Sequence, residues 1–146
     1  MTDQEWQDLG QRAVACKHWR WLPGMVDAAT GLRVVKAGTD EDPRIGLGSL
    51  NDFILFHPGM MKGHHPDFRD AATLGCLLAL VREGWPNVVI WVARNCAVDP
   101  LDDSEYMLDD VEGWTVCGGC GDDYVGCFGS GKTEADALVA ALEAAP

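Results

Sequence analysis

The stretch WTVCGGCGDDYVGCFGSGKTEADALVAAL, residues 114–142, decides the fold. Two short apolar runs, Trp114 to Cys117 and Tyr124 to Phe128, flank the glycine-rich segment Gly118 to Asp123 and read as a β-hairpin. A helix follows over residues 134–144. Thr133 is its N-cap, Asp136 stands where a capping acid belongs, and Leu138, Val139 and Leu142 form one apolar stripe. A hairpin feeding a helix is the signature of a sheet with helices packed against it.

Two more helices are legible upstream. Residues 3–16 begin with the capping-box pair Thr2 and Glu5 and carry Trp6, Leu9, Ala13 and Cys16 at helical spacing. Residues 71–83 follow the capping residue Asp70, with Leu74, Leu77, Leu78 and Val81 on one face; Gly84 and Pro86 stop them. Strand patterns fall between. Lys17 to Leu22 alternates, with Trp19 and Trp21 on one face. Leu32 to Lys36 follows a turn at Thr30-Gly31 and is expected to pair back on it. Val88 to Ala93 is β-branched and nearly unbroken in apolarity, as a central strand would be. Residues 37–52, rich in Gly, Asp and Pro, and the acidic residues 95–112 read as long loops. The order implies a single α+β domain: a largely antiparallel sheet of about four to five strands packed with three helices, an α/β sandwich.

Composition narrows the partners. The chain has 146 residues, 47% hydrophobic, and 23 acids against 11 bases give a net charge of −12. A nucleic acid duplex or an anionic membrane repels such a surface. A host protein with a basic surface, or a small anionic ligand, is the better-matched partner, and a homo-oligomer remains compatible. Residues 1–6 show no basic-then-apolar export pattern, and no apolar run approaches the roughly 20 residues that span a bilayer, so a cytoplasmic location is expected. The six cysteines are then expected as thiols, with Cys16 and Cys76 acting as small hydrophobes on helices.

Three segments resemble the phage ABA sandwich domain family. They are Ala13 to Trp21, with its helix leading into Trp-x-Trp; Pro66 to Leu78; and Gly131 to Leu142. The resemblance covers about half the chain and implies a small sandwich of helices and antiparallel sheet encoded by a phage or prophage. It brings no catalytic residues. The insertions at about 37–65 and 95–112 lie outside it.

Each candidate for chemistry has a plainer reading beside it. Gly126 to Thr133 spells G-x-x-x-x-G-K-T, the phosphate-cradling pattern, but it starts inside a predicted strand and no strand follows to carry a magnesium-binding acid. What survives is an anion contact at a helix start through Ser130, Lys132 and Thr133. Cys117, Cys120 and Cys127 offer three zinc ligands, with a fourth to come from His18, His57 or Cys96; the plainer reading is a glycine-rich turn with free thiols. His57, His64, His65 and Asp67 lie together but lack H-E-x-x-H spacing and read as a polar, proline-flanked loop. The acids Asp102, Asp103, Glu105, Asp109 and Asp110 lack the calcium-loop order and suit a solvated loop, or a charge mimic that grips a basic protein. Trp19, Trp21 and Trp91 read as core, Trp85 and Trp114 as pocket or interface residues.

The resulting expectation is a non-enzymatic accessory protein of phage or prophage type. It would block a host protein or sequester a small, nucleotide-like ligand as an anti-defence factor. The alternative is a zinc-stabilised structural or interaction module.

Overall fold

In the computed structural model, which describes residues 1–94, 96–98, 105–107, 113–120 and 123–146, the chain divides into two compact units, Met1–Cys76 and Leu77–Pro146. The α+β class is as expected. The single sheet is not. Among the described residues the strands form two separate three-stranded antiparallel sheets, one of them in each unit, and a two-stranded ladder.

The first unit opens with α1 (Asp3–Ala15), whose capping box is complete: Glu5 N–H donates to Thr2 Oγ1 at 3.2 Å and Thr2 N–H to Glu5 Oε2 at 2.6 Å. Leu9, Gly10 and Ala13 are its buried residues; Trp6 and Cys16 are half-buried. Residues 17–22 form no strand, contrary to the alternation. Trp19 and Trp21 instead stand edge to face with ring centres 5.8 Å apart. The sheet is β1 (Arg33–Lys36), β2 (Ile45–Ser49) and β3 (Asp52–Phe56), in that order, so β1 pairs with β2 rather than with residues 17–22.

One of these strands, β2, lies where a loop was expected, because glycine and proline around it mask its pattern. Gly46 suits the middle of the sheet: a Cβ there would meet the Phe53 ring at 2.8 Å and Lys36 Cβ at 3.0 Å. β2 carries the core residues Ile45 and Leu47, whereas β3 leaves Phe53, Ile54 and Leu55 exposed. A 3-10 turn, Pro58–Met60, then leads to α2 (Ala71–Gly84).

At the start of α2, the Asp70 carboxylate accepts from Thr73 N–H (2.8 Å), Thr73 Oγ1–H (2.9 Å) and Arg33 (3.1 Å). Burial alone would raise its pKa, but these donors outweigh burial and hold it below the ordinary carboxylate value. The buried face of α2 is rotated from the expected one. Thr73, Leu77, Leu80, Val81 and Gly84 are buried, while Leu74 and Leu78 are only half-buried.

The second unit contains β4 (Val89–Arg94), β5 (Cys96–Val98), β6 (Glu105–Met107), β7 (Trp114–Cys120), β8 (Asp123–Gly131) and α3 (Glu134–Glu143). Its sheet order is β4-β7-β8, with β5 pairing β6 separately. β4 is therefore an edge strand, not a central one, and Val89 and Trp91 are exposed on it. The hairpin is longer than expected, because the glycine-rich segment continues both strands and pairs Gly118 with Gly126. Thr133 caps α3 as expected, and Leu138, Val139 and Leu142 are buried. Trp85, half-buried, donates its indole N–H to Ala141 O at 3.0 Å and packs on Phe128 at 4.1 Å. Among the described residues no helix is long and apolar enough to cross a membrane.

Chemical denaturation should separate the buried middle strand of the first sheet from its exposed edge strand β3. Leu47→Ala, at a fully buried position, should cost about 2–5 kcal/mol, and Ile54→Thr less than about 0.5 kcal/mol. A second prediction concerns acid. The depressed pKa of Asp70 means that its contribution is full above the ordinary value near 4 and is lost as pH falls through the lower folded value. Asp70→Ala should cost about 1 kcal/mol at pH 7 and lose less further stability than the wild type between about pH 4 and pH 2.

Candidate functional site

The first unit carries an open cavity of about 640 Å³, within the usual range for small-molecule sites. Its apolar walls come from Val14 of α1, from Trp19 and Trp21 just after that helix, from Ile45 of β2, and from Pro43, Pro58 and Met61. Arg20, Thr39, Asp40 and Lys62 add polar groups to the lining. Two indoles, two cations and one carboxylate thus share one concavity. Trp21 and Met61 are buried, while Arg20, Thr39, Asp40 and Lys62 are exposed.

Each wall is held by a local device. The connection between β1 and β2 closes on itself: Thr39 N–H donates to Asp42 O (2.9 Å), and Asp42 N–H returns to Thr39 Oγ1 (3.1 Å). Asp42 also binds Arg44 (2.8 Å) and Lys36, and these hydrogen bonds, Arg44 first, hold its carboxyl well below the usual carboxylate range. The segment around His64 is fixed by a buried carboxylate. Asp27 is fully buried and accepts from Thr30 Oγ1–H (2.6 Å), Thr30 N–H (3.1 Å), Ala29 N–H (3.3 Å) and His64 Nδ1–H (2.9 Å). A carboxylate can only accept, so the histidine is the donor. Gly31 lets the Asp27 loop close, with φ of 70° and its N–H on Asp27 O at 2.8 Å. His64 meanwhile closes the segment that presents Pro58, Gly59, Met61 and Lys62 to the cavity, its own N–H bonding Met61 O at 3.0 Å.

The histidine segment is therefore not simply a polar loop. His57 Nδ1 accepts from Gly59 N–H and caps the 3-10 turn, and His64 stacks at a tilt on Phe56. His65 packs on Gly10, where an added Cβ would lie 2.8 Å from its Nδ1. That nitrogen and Trp19 Nε1 are buried and have no hydrogen-bond partner among the described residues.

The other sequence candidates lie elsewhere. At the start of α3, Lys132 N–H donates to Asp136 Oδ2 (3.2 Å) and Asp136 N–H to Thr133 Oγ1 (3.2 Å), so the chain's own carboxylate sits where an anion contact through Ser130, Lys132 and Thr133 was expected. Two glycines within the phosphate-like pattern have a packing role: a Cβ on Gly129 would meet Ala137 O at 2.4 Å, and one on Gly131 would meet Asp136 Cβ at 2.6 Å.

Of the three expected metal ligands, Cys117 and Cys127 come together, with sulfurs 3.6 Å apart, while Cys120 lies further along β7 opposite Asp123. Among the described residues no three His, Cys, Asp or Glu side chains are grouped to hold a metal. Asp102, Asp103, Asp109 and Asp110 lie outside the described residues, and Glu105 begins β6. Cys16 and Cys76 are half-buried rather than core; their thiols donate to Arg12 O and Pro23 O, and desolvation, with Asp70 nearby, raises the pKa of Cys76.

Sequence reasoning missed Asp27 as the organising residue. The available signal was an Asp three residues before Thr30-Gly31, the pattern of a side chain that hydrogen-bonds its own turn. Comparison of the chain with protein-family models, curated proteins and solved structures finds no match.

Asp27→Ala strips a buried acceptor from His64 and Thr30. It should destabilise the protein by about 3 kcal/mol, read by urea denaturation. His64→Ala, which leaves the Thr30 contacts to Asp27, should cost less.

Proposed function

We propose that the first unit binds and holds a small anionic ligand with a flat ring, nucleotide-like in chemistry, without transforming it. The observation that carries this reading is the cavity of about 640 Å³ with Trp19 and Trp21 in its wall and Arg20 and Lys62 in its lining. Indole faces stack on planar rings with little regard to ring identity, at about 1–3 kcal/mol per base. A guanidinium and an ammonium suit phosphate oxygens. Asp40 offers an acceptor for an exocyclic amino group.

Ligand capture is preferred to blockade of a host protein because the cavity brings ring-stacking and anion-binding side chains together in one place. The resemblance to the phage ABA sandwich domain family extends the proposal: an accessory protein that sequesters a nucleotide-like molecule and so acts against host defence.

The test is thermal unfolding with a panel of nucleoside monophosphates and diphosphates, alongside quenching of tryptophan fluorescence. A ligand at a hundredfold excess over its Kd should add about 2.7 kcal/mol and raise Tm. Trp19→Ala should weaken binding by roughly 5- to 150-fold, and Lys62→Glu should weaken it while leaving the unliganded Tm nearly unchanged. Unshifted Tm and unquenched fluorescence across the panel would overturn the proposal.

A further inference from the structure

The second unit carries a feature that the ligand cavity does not use. Cys117 on β7 and Cys127 on β8 face each other in register, and their sulfurs stand 3.6 Å apart. Residues opposed across an antiparallel pair have Cα atoms about 4.5–5.5 Å apart, inside the span of about 4.4–6.8 Å that a disulfide bridges. The two thiols differ in access. Cys117 is fully buried, and Cys127 is exposed. The adjoining pair, Gly118 and Gly126, adds no side chain, and nothing among the described residues lies within 4 Å of where a Cβ on Gly126 would stand.

We infer that Cys117 and Cys127 form a reversible cross-strand disulfide by exchange with a low-molecular-weight disulfide of the glutathione type. The exposed Cys127 loses its proton to solvent, and its thiolate attacks one sulfur of the reagent. A mixed disulfide forms and one reagent thiolate leaves. Cys117, deprotonated in turn, attacks Cys127 Sγ and expels the second reagent thiolate. Two protein thiols become one disulfide, and one reagent disulfide becomes two thiols, with the two protons released by the cysteines taken up by the departing thiolates. The accessible sulfur is the one that is attacked through, and the buried sulfur resolves the adduct. Cys120 is exposed but lies opposite Asp123, so it has no thiol partner across the ladder.

The product joins the central strand to an edge strand of the second sheet. It closes a short loop of chain, which lowers the freedom of the unfolded state and raises Tm.

The experiment incubates the full-length chain with oxidised glutathione under native conditions and maps the products by peptide mass spectrometry without reduction. The wild type should lose two hydrogens, with Cys117 and Cys127 peptides joined, and melt about 5 °C or more above the reduced form. Dithiothreitol should reverse both changes. Cys120→Ser should behave as wild type. Cys127→Ser, altered at an exposed position, should yield no joined peptide and no rise in Tm. Cys117→Ala should hold glutathione on Cys127 as a stable adduct, provided that circular dichroism matches the wild type. The inference is overturned if the bridge maps to Cys120, if wild-type Cys127 accumulates the adduct unresolved, or if the folded wild type does not react.

Discussion

A single buried carboxylate organises the first unit. Asp27 has no solvent to satisfy its oxygens, so its burial is tolerable only because Thr30, Ala29 and His64 supply donors. Those donors come from two distant segments. Two backbone bonds run alongside, Ala28 N–H to His65 O and Asp67 N–H to Val26 O, each at 2.9 Å. The charge therefore ties residues 26–31 to residues 64–67, and through His64 and Met61 it sets the wall of the cavity. Thr73 extends the same frame into α2 by accepting Val26 N–H at 2.8 Å. Asp27 and His64 thus help to shape the cavity without lining it.

The second unit is organised by the opposite device, removal of side chains. Gly129 lets β8 approach α3 until the space of one methyl group is taken by the helix backbone, and Gly131 does the same beneath Asp136. This accounts for the phosphate-like pattern without a phosphate. Its threonine is a cap, Gly129 and Gly131 are close contacts, and the helix start is already met by a carboxylate. A motif is a claim about geometry, and here the same letters serve strand-on-helix packing.

What was legible in the sequence was what local chemistry decides. The capping box of Thr2 and Glu5, the Asp70 and Thr133 caps, and the stops at Gly84 and Pro86 depend on neighbours within four residues. What depends on distant pairing was not legible. The alternation of Lys17 to Leu22 looks like a half-buried strand because Trp19 and Trp21 are apolar, yet their rings turn edge to face beside a cavity rather than lying on a ladder. β2 hid behind its glycines, which are there because Phe53 and Lys36 press on it. β4 was expected in the middle of a sheet because apolarity alone does not say which neighbour a strand lacks. Of the candidate site, the two tryptophans were seen as core and the thiols as metal ligands; register alone told Cys127 from Cys120 as the partner of Cys117.

Net charge and local charge then have to be weighed against each other. At −12 the chain as a whole disfavours an anion at long range. Beyond a Debye length of about 8 Å at physiological salt, however, that repulsion is largely screened, and what an entering ligand meets is the lining itself. There Arg20, Lys62 and Asp40 are the charged residues of the lining. Nearby, the carboxylate of Asp42 is engaged by Arg44 and Lys36, which reduces its reach as a second negative charge. On the proposed reading, the acidic surface slows the approach of an anion, and the two cations and two indoles of the lining decide whether it stays. Under the proposed function, selectivity would favour ligands that bring a flat ring together with their charge over simple inorganic anions, which would gain nothing from the tryptophans.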